Sequence, residues 1–232
     1  MVLHGIGTIT YYEPRTKKFA TLGHGIVDSD TNSLIKIASG ELVTTYINSI
    51  VKGEKGKIGE IKGSIVNSKA IGVLSSNTEF GVYGELKNMS ALNVDTSNEM
   101  EVAFRNEIKL GPAKMILNIE DNIRKEYDIE ITRIYRNNNS DNKSMLIRVT
   151  DEELLELTGG IIQGMSGAPI VQNGKFVGAV THVLVNNPAE RICSFWRLND
   201  KTVERNKIKL NYVILFFSFI DFKVTLWYYF HI

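Results

Sequence analysis

Ser166 stands in Gly164-Met165-Ser166-Gly167-Ala168-Pro169, where glycines on either side let the backbone bend sharply and come close to a ligand. A serine in that setting has the makings of a nucleophile. Its hydroxyl stands clear of bulky neighbours, and nearby backbone N–H groups can face the oxyanion formed in acyl transfer. The N–H groups of Gly164 and of Ser166 itself are the candidate oxyanion-hole donors. Two competing patterns fail on detail. The phosphate loop G-x-x-x-x-G-K-[ST] fits from Gly159 to Ser166 except that Met165 takes the lysine position, which removes the main cation for a phosphate. The hydrolase elbow G-x-S-x-G fails because Gly167 follows the serine directly and Ala168 takes its last place.

What remains is G-x-S-G-x-P, the nucleophile pattern of trypsin-like serine peptidases, with a glycine-rich turn between strands as the plain alternative. A serine nucleophile needs a base, and the chain has only four histidines: His4, His24, His182 and His231. His24 lies between Gly23 and Gly25, where an imidazole gains little packing. It precedes Ser166 by most of the chain, the order of the chymotrypsin version of the Ser-His-Asp template. That separation suits a base on one β-barrel and a nucleophile on the next. His182 sits in the strand-like run 179–185, on the side of Val180 and Leu184, and is a candidate for a core position or the wall of a substrate pocket.

Period-two alternation supplies the elements that must position these groups. Tyr127, Ile129 and Ile131 alternate with Asp128, Glu130 and Thr132, and Met145, Ile147 and Val149 alternate with Leu146 and Arg148. Further strands are expected over residues 6–12, 19–22, 42–51, 80–86, 101–109 and 114–119. Asn173-Gly174 is a two-residue hairpin signal. Residues 52–62, rich in lysine and glycine, and the polar stretch 137–143 read as solvated turns. Many short strands and one short helix near 151–157 make the fold class all-β.

Composition narrows the function. Charged residues make up 23% and the formal net charge is +1, so no basic field marks a nucleic-acid binder. One cysteine, Cys193, excludes an internal disulfide and a cysteine-based zinc site. No H-E-x-x-H or clustered His/Asp spacing points to a metal, and no cofactor is expected.

The chain resembles the peptidase domain of stage IV sporulation protein B, a serine peptidase family of endospore-forming bacteria. The resemblance rests on Gly5-Ile6-Gly7-Thr8-Ile9-Thr10, Leu22-Gly23-His24-Gly25-Ile26, Gly111-Pro112-Ala113-Lys114, Arg148-Val149-Thr150-Asp151, the nucleophile loop and Gly178-Ala179-Val180-Thr181-His182-Val183. It runs from about Gly5 to Pro188. It implies a chymotrypsin-like double β-barrel with His24 as base, Ser166 as nucleophile and Asp151 as third member. Read from the residues alone, Thr150-Asp151-Glu152-Glu153 is also a capping box with Thr150 as N-cap. Asp151 also lies far closer to the serine than the chymotrypsin aspartate does, so Asp28, Asp30 and Asp95 stay open as orienting carboxylates.

The family role implied is signalling cleavage in sporulation, of a membrane-bound regulator of an intramembrane protease and of the enzyme's own N-terminal region. Members carry a membrane anchor and a PDZ module before the peptidase domain and work after export from the forespore into the intermembrane space. Here Met1-Val2-Leu3-His4 leads straight into the first strand, with no export signal, so a chain translated as written is expected in the cytoplasm. Residues 1–188 read as the peptidase domain and 189–232 as an atypical apolar tail. That tail holds both tryptophans, Cys193 and most of the phenylalanines, and a frame change near Ala189 is one explanation. Its longest uncharged run, 210–220, is about half of the roughly twenty residues a spanning helix needs. Three functions follow: an active serine endopeptidase, a catalytically inactive remnant, and a non-catalytic peptide-binding domain.

Overall fold

The alternating runs form strands that bury their apolar face. Tyr127, Ile129 and Ile131 are buried on one strand, as are Met145, Ile147 and Val149 on the next. The computed structural model describes residues 5–28, 30–31, 33–37, 39–65, 69–88, 99–120, 123–135, 144–183, 190–195, 209–211 and 216–220. The first half holds β1 (Ile6–Tyr12), β2 (Lys18–Thr21), β3 (Glu41–Val51), β4 (Glu60–Ile65), β5 (Gly72–Thr78), β6 (Gly81–Leu86) and β7 (Glu99–Val102). The second half holds β8 (Gly111–Glu120), β9 (Ile123–Ile134), β10 (Met145–Val149), helix α1 (Glu152–Thr158), β11 (Pro169–Gln172) and β12 (Lys175–Val183). β13 (Glu190–Phe195), β14 (Lys209–Asn211) and β15 (Phe216–Ile220) follow.

Two closed rings emerge from the pairing. In the first, β1 pairs with β2, then β6, β5, β3 and β15 follow, and β15 returns to β1. In the second, β8 leads through β9, β10, β13 and β12 to β11, which returns to β8. Closure leaves no edge strand in either ring, and the fold is an all-β, chymotrypsin-like double barrel. Each ring has its own core. Ile9, Tyr12, Phe19, Leu42, Val82 and Leu86 fill the first. Met115, Leu117, Tyr127, Ile131, Met145, Ile147 and Ile170 belong to the second. β7 and β14 bridge the rings, and β4 lies outside them, paired with β3.

Several local expectations are corrected. The strand expected over 101–109 ends at Val102, because the Glu107 carboxylate accepts from the Phe104 N–H at 2.6 Å and folds the chain into a turn. The stretch 52–62 is more than a solvated turn. It is the tip of the β3–β4 hairpin, and Gly53 N–H donates to the Thr158 carbonyl at 2.8 Å. Asn173 and Gly174, at φ 52° and 75°, turn β11 into β12 as expected of a type I′ hairpin. The stretch 137–143 lies outside the described residues. Among the described residues, no helix is long and apolar enough to cross a membrane.

The helix is capped by Asp151 rather than Thr150. Asp151 is extended (φ −69°, ψ 118°) and its Oδ1 accepts from Leu154 N–H at 3.0 Å. Thr150 lies one residue too early: the helix begins at Glu152, its first turn reaches back to the Asp151 carboxylate, and the N–H groups of Thr150 and Asp151 both donate to the Asp128 carbonyl at 3.0 Å. Glu153 therefore pairs with Lys125 instead of closing a capping box. Gly159 ends the helix at φ 71°, donating to the Leu155 carbonyl, as a left-handed C-cap does. The nucleophile loop begins there.

Candidate active site

The loop is anchored from both sides so that Ser166 faces outward. Met165 and Ala168 are fully buried in the second core, while Ser166 is half-buried. Ala168 N–H donates to the Met165 carbonyl at 2.9 Å, closing a four-residue turn with Gly167 third at φ 92°. A positive φ at that place is the mark of a type II turn. Gly167 N–H donates to the Val180 carbonyl at 2.8 Å, and Val180 N–H to the Ala168 carbonyl at 3.0 Å. The serine is thus pinned on its C-terminal side to β12.

The other barrel holds the loop too. Thr8 N–H on β1 donates to the Ser166 carbonyl at 3.0 Å, and its hydroxyl approaches the Gly164 carbonyl at 3.4 Å. Two donors in the loop are left over. Met165 N–H bonds the Ile162 carbonyl at 3.2 Å and Gly167 N–H is used as above. The N–H groups of Gly164 and Ser166, by contrast, donate to no backbone carbonyl among the described residues. An oxyanion hole requires two such N–H groups free of backbone partners, and here one is on the serine itself and the other is two residues before it.

His24 follows β2 through two residues with left-handed backbone, Leu22 (φ 69°) and Gly23 (φ 67°), which turn the chain toward the seam between barrels. A side chain on Gly23 would meet Thr181 Cγ2 at 2.8 Å, and one on Gly167 would meet Leu22 N at 2.6 Å. The His24 and Ser166 segments therefore pack on each other's flanks and share Thr181 as a neighbour. Asn77 on β5 steadies the far side of the histidine loop. Its Oδ1 accepts from Ile26 N–H at 2.9 Å, and its amide donates to the carbonyls of Ile26 and Ile35 at 2.7 and 2.9 Å.

The surroundings of the imidazole fix its neutral form. Nδ1 lies 2.9 Å from the Gly25 carbonyl. A carbonyl only accepts, so Nδ1 carries the proton and Nε2 the lone pair in the neutral ring. Burial pushes the His24 pKa below the usual 6.5, opposed in part by the bond to Gly25. The folded state then binds fewer protons than the unfolded one just below that value. Stability from this group is full above 6.5 and declines as pH falls from there toward the lowered folded pKa. The acid limb of kcat/KM, which reports the free enzyme, is expected below pH 6.5. A pH–rate profile with its acid limb above that value would contradict this environment.

The remaining expected residues are placed as follows. The Ser166 hydroxyl donates to the Thr181 carbonyl at 3.4 Å rather than to His24. Asp151 is not brought to His24 by a hydrogen bond: its Oδ1 caps α1, and its Oδ2 accepts from Asp128 N–H at 3.1 Å. Asp28 is spent within its own turn, accepting from Asp30 N–H, Thr31 N–H and the Thr31 hydroxyl, whose bonds hold its carboxyl below the usual range. Asp30 is exposed on the same turn. Asp95, His4 and His231 lie outside the described residues, as does the His182 side chain, whose backbone pairs with Ile192. Asn77 gave no sign in the sequence, and Thr8 and Thr181 entered only as members of the segments that carry the resemblance, since each acts through partners far along the chain.

Among curated proteins none matches this chain. Among solved structures, "HtrA-type protease AlgW with decapeptide" is similar at a TM-score of 0.37 and 12% identity, over 68% of this chain. The chain spans 60% of the length of that structure. Residues 2–195 match the family described as SpoIVB peptidase S55, a stretch that takes in His24, the whole nucleophile loop and every strand from β1 to β13; the chain belongs to that family.

Proposed function

We propose that the chain is a serine endopeptidase with Ser166 as nucleophile and His24 as general base. The observation that carries this reading is the pair of unspent N–H groups at Gly164 and Ser166, set beside a half-buried serine with the histidine loop packed on its flank. The Ser166 hydroxyl turns from the Thr181 carbonyl toward His24. Nε2 takes its proton as Oγ bonds the scissile carbonyl carbon, and the two N–H groups hold the oxyanion. His24 then gives the proton to the leaving amine, and a water activated in the same way releases the acyl group. The segment before the scissile bond lies along β12 past Val180, with His182 proposed for its pocket wall. The substrates proposed are a membrane-bound sporulation regulator and the enzyme's own N-terminal region. Labelling of purified protein with a fluorophosphonate probe tests the assignment. Signal that vanishes in Ser166→Ala and His24→Ala supports it, and a folded wild type that takes no label favours an inactive remnant.

Asp151, the family-implied third member, acts in this reading on the loop rather than on the imidazole. Its carboxylate caps the helix that delivers Gly159 to the nucleophile loop, while the Gly25 carbonyl fixes the His24 tautomer. Asparagine is as good an N-cap as aspartate, whereas alanine costs about 1 kcal/mol. Asp151→Asn keeps the bond from Leu154 N–H and gives up the one from Asp128 N–H, so it is expected to keep kcat within about threefold, and Asp151→Ala, which gives up both, to lower stability by about 1–2 kcal/mol. A loss of roughly 10⁴ in kcat for the asparagine variant, the scale seen when a triad aspartate is neutralised, would instead assign Asp151 to His24.

A further inference from the structure

An open groove of about 590 Å³ runs from Gly164 along β4, lined by Ile6, Glu60, Ile61, Ile65 and Gln163 among others. Its volume lies within the roughly 300–1,000 Å³ range of ligand sites. The groove is built into the site. β4 is tied to the nucleophile loop by the Ile61 N–H to Gln163 carbonyl bond at 2.9 Å and by a parallel bridge between Glu60 and Gln163. Gly164, one proposed oxyanion donor, forms part of its wall. Any peptide whose carbonyl sits on that donor is already at the mouth of the groove.

The two flanks of Ser166 are bound to different elements. On the C-terminal side the loop is joined to β12 through Val180 and Thr181, and on the N-terminal side to β4 through Gln163. An extended substrate crossing Ser166 must leave β12 for β4. With the acyl segment on β12, the β4 groove receives the leaving segment. The wall chemistry says what it takes. Glu60 is paired with Lys62 at 3.0 Å, which offsets its charge. Besides Thr45, Gln163 and three glycines, the wall carries a line of isoleucines, from Ile61 at 4% exposure through half-buried Ile6 to Ile65 at 39%.

We infer that this groove selects substrates carrying an aliphatic side chain in the first residues after the scissile bond, with Ile61 and Ile65 as specificity-determining residues. The inference rests on the serine-peptidase reading for the orientation of the chain. Binding alone tests the groove, without turnover. Fluorescein-labelled tetrapeptides with a free amino end mimic the leaving fragment. One carries leucine and isoleucine at its first two places, the other aspartates, and both are titrated by anisotropy into Ser166→Ala protein.

The aliphatic peptide is expected to bind about tenfold more tightly, the scale of burying most of one leucine side chain. Ile65→Glu, placed in the Ser166→Ala background at an exposed strand end that tolerates a polar group, should erase that preference. Ile65→Leu should preserve it. Equal binding of the two peptides, or a preference unchanged by Ile65→Glu, overturns the inference. Fluorophosphonate labelling of the protein with Ser166 and Ile65 both intact reads the catalytic site separately from the peptide preference. A preserved peptide preference in a protein that takes no label would uphold the groove and remove the catalytic reading, so the two failures are separable.

Discussion

Ser166→Ala and His24→Ala are each expected to lower kcat by about 10⁶, and the double variant is expected to fall no further, because nucleophile and base act as one unit. The residual rate in all three should still exceed that of water by roughly 10³–10⁴, since the Gly164 and Ser166 N–H groups survive both substitutions. Neither change should disturb the fold. The Ser166 hydroxyl contributes one long bond to Thr181, whereas the loop is held by backbone bonds from Thr8, Gly167, Ala168 and Val180. Urea unfolding of Ser166→Ala should thus match the wild type within about 0.5 kcal/mol, as for substitutions that touch no packing or network. The kinetic measurement is single-turnover cleavage of an activated ester, which needs no knowledge of the natural substrate. Additive losses in the double variant would mean that His24 is not the base for Ser166.

The chemistry of this site was legible because it resides in residue types next to each other, and its support was not because that arises from distance. Gly164, Ser166 and Gly167 are close in sequence, and a turn that exposes a serine with two spare N–H groups can be read from them. The barrel strands were legible for a similar reason: Tyr127-x-Ile129-x-Ile131 states its buried face in its own period. β4 was missed because Glu60–Ile65 alternates weakly and is interrupted by Gly63, which lies against Thr45 and the Tyr46 carbonyl on β3. Only the pairing with β3 reveals it as a strand. The cap failed by one residue for an equally non-local reason. Thr150 has the right side chain, but Asp151 is fixed to Asp128 on the neighbouring strand through its own N–H and its Oδ2, which presents Oδ1 to the first helical turn. The third carboxylate is the hardest case, since Asp151 matches the family pattern while both its oxygens are bound to backbone N–H groups in its own barrel.

Gly167→Ala should separate the barrels' packing from the backbone demands of the turn, and its effect should be among the largest of any single methyl added to this chain. A Cβ there would fall on the Thr8 carbonyl, with Leu22 N at 2.6 Å and Leu22 Cα at 3.1 Å. These are backbone atoms of the first barrel and cannot rotate aside as a side chain would. Relief requires the nucleophile loop to back away from β1 and from the segment that carries His24, which breaks the bond from Thr8 N–H to the Ser166 carbonyl. Gly174 provides the control, because it too has a positive φ, 75°, but a Cβ there meets nothing within 4 Å. Gly174→Ala should therefore cost only the left-handed strain of about 1–2 kcal/mol and leave fluorophosphonate labelling intact. Gly167→Ala adds backbone overlap to the same strain, and a loss of about 3 kcal/mol or more is expected by urea unfolding, with labelling abolished at temperatures where the protein remains folded. The diagnostic quantity is the difference between the two variants. Equal destabilisation with labelling retained in both would mean that the barrels do not meet at Gly167, and that His24 and Ser166 are held together by something other than this contact.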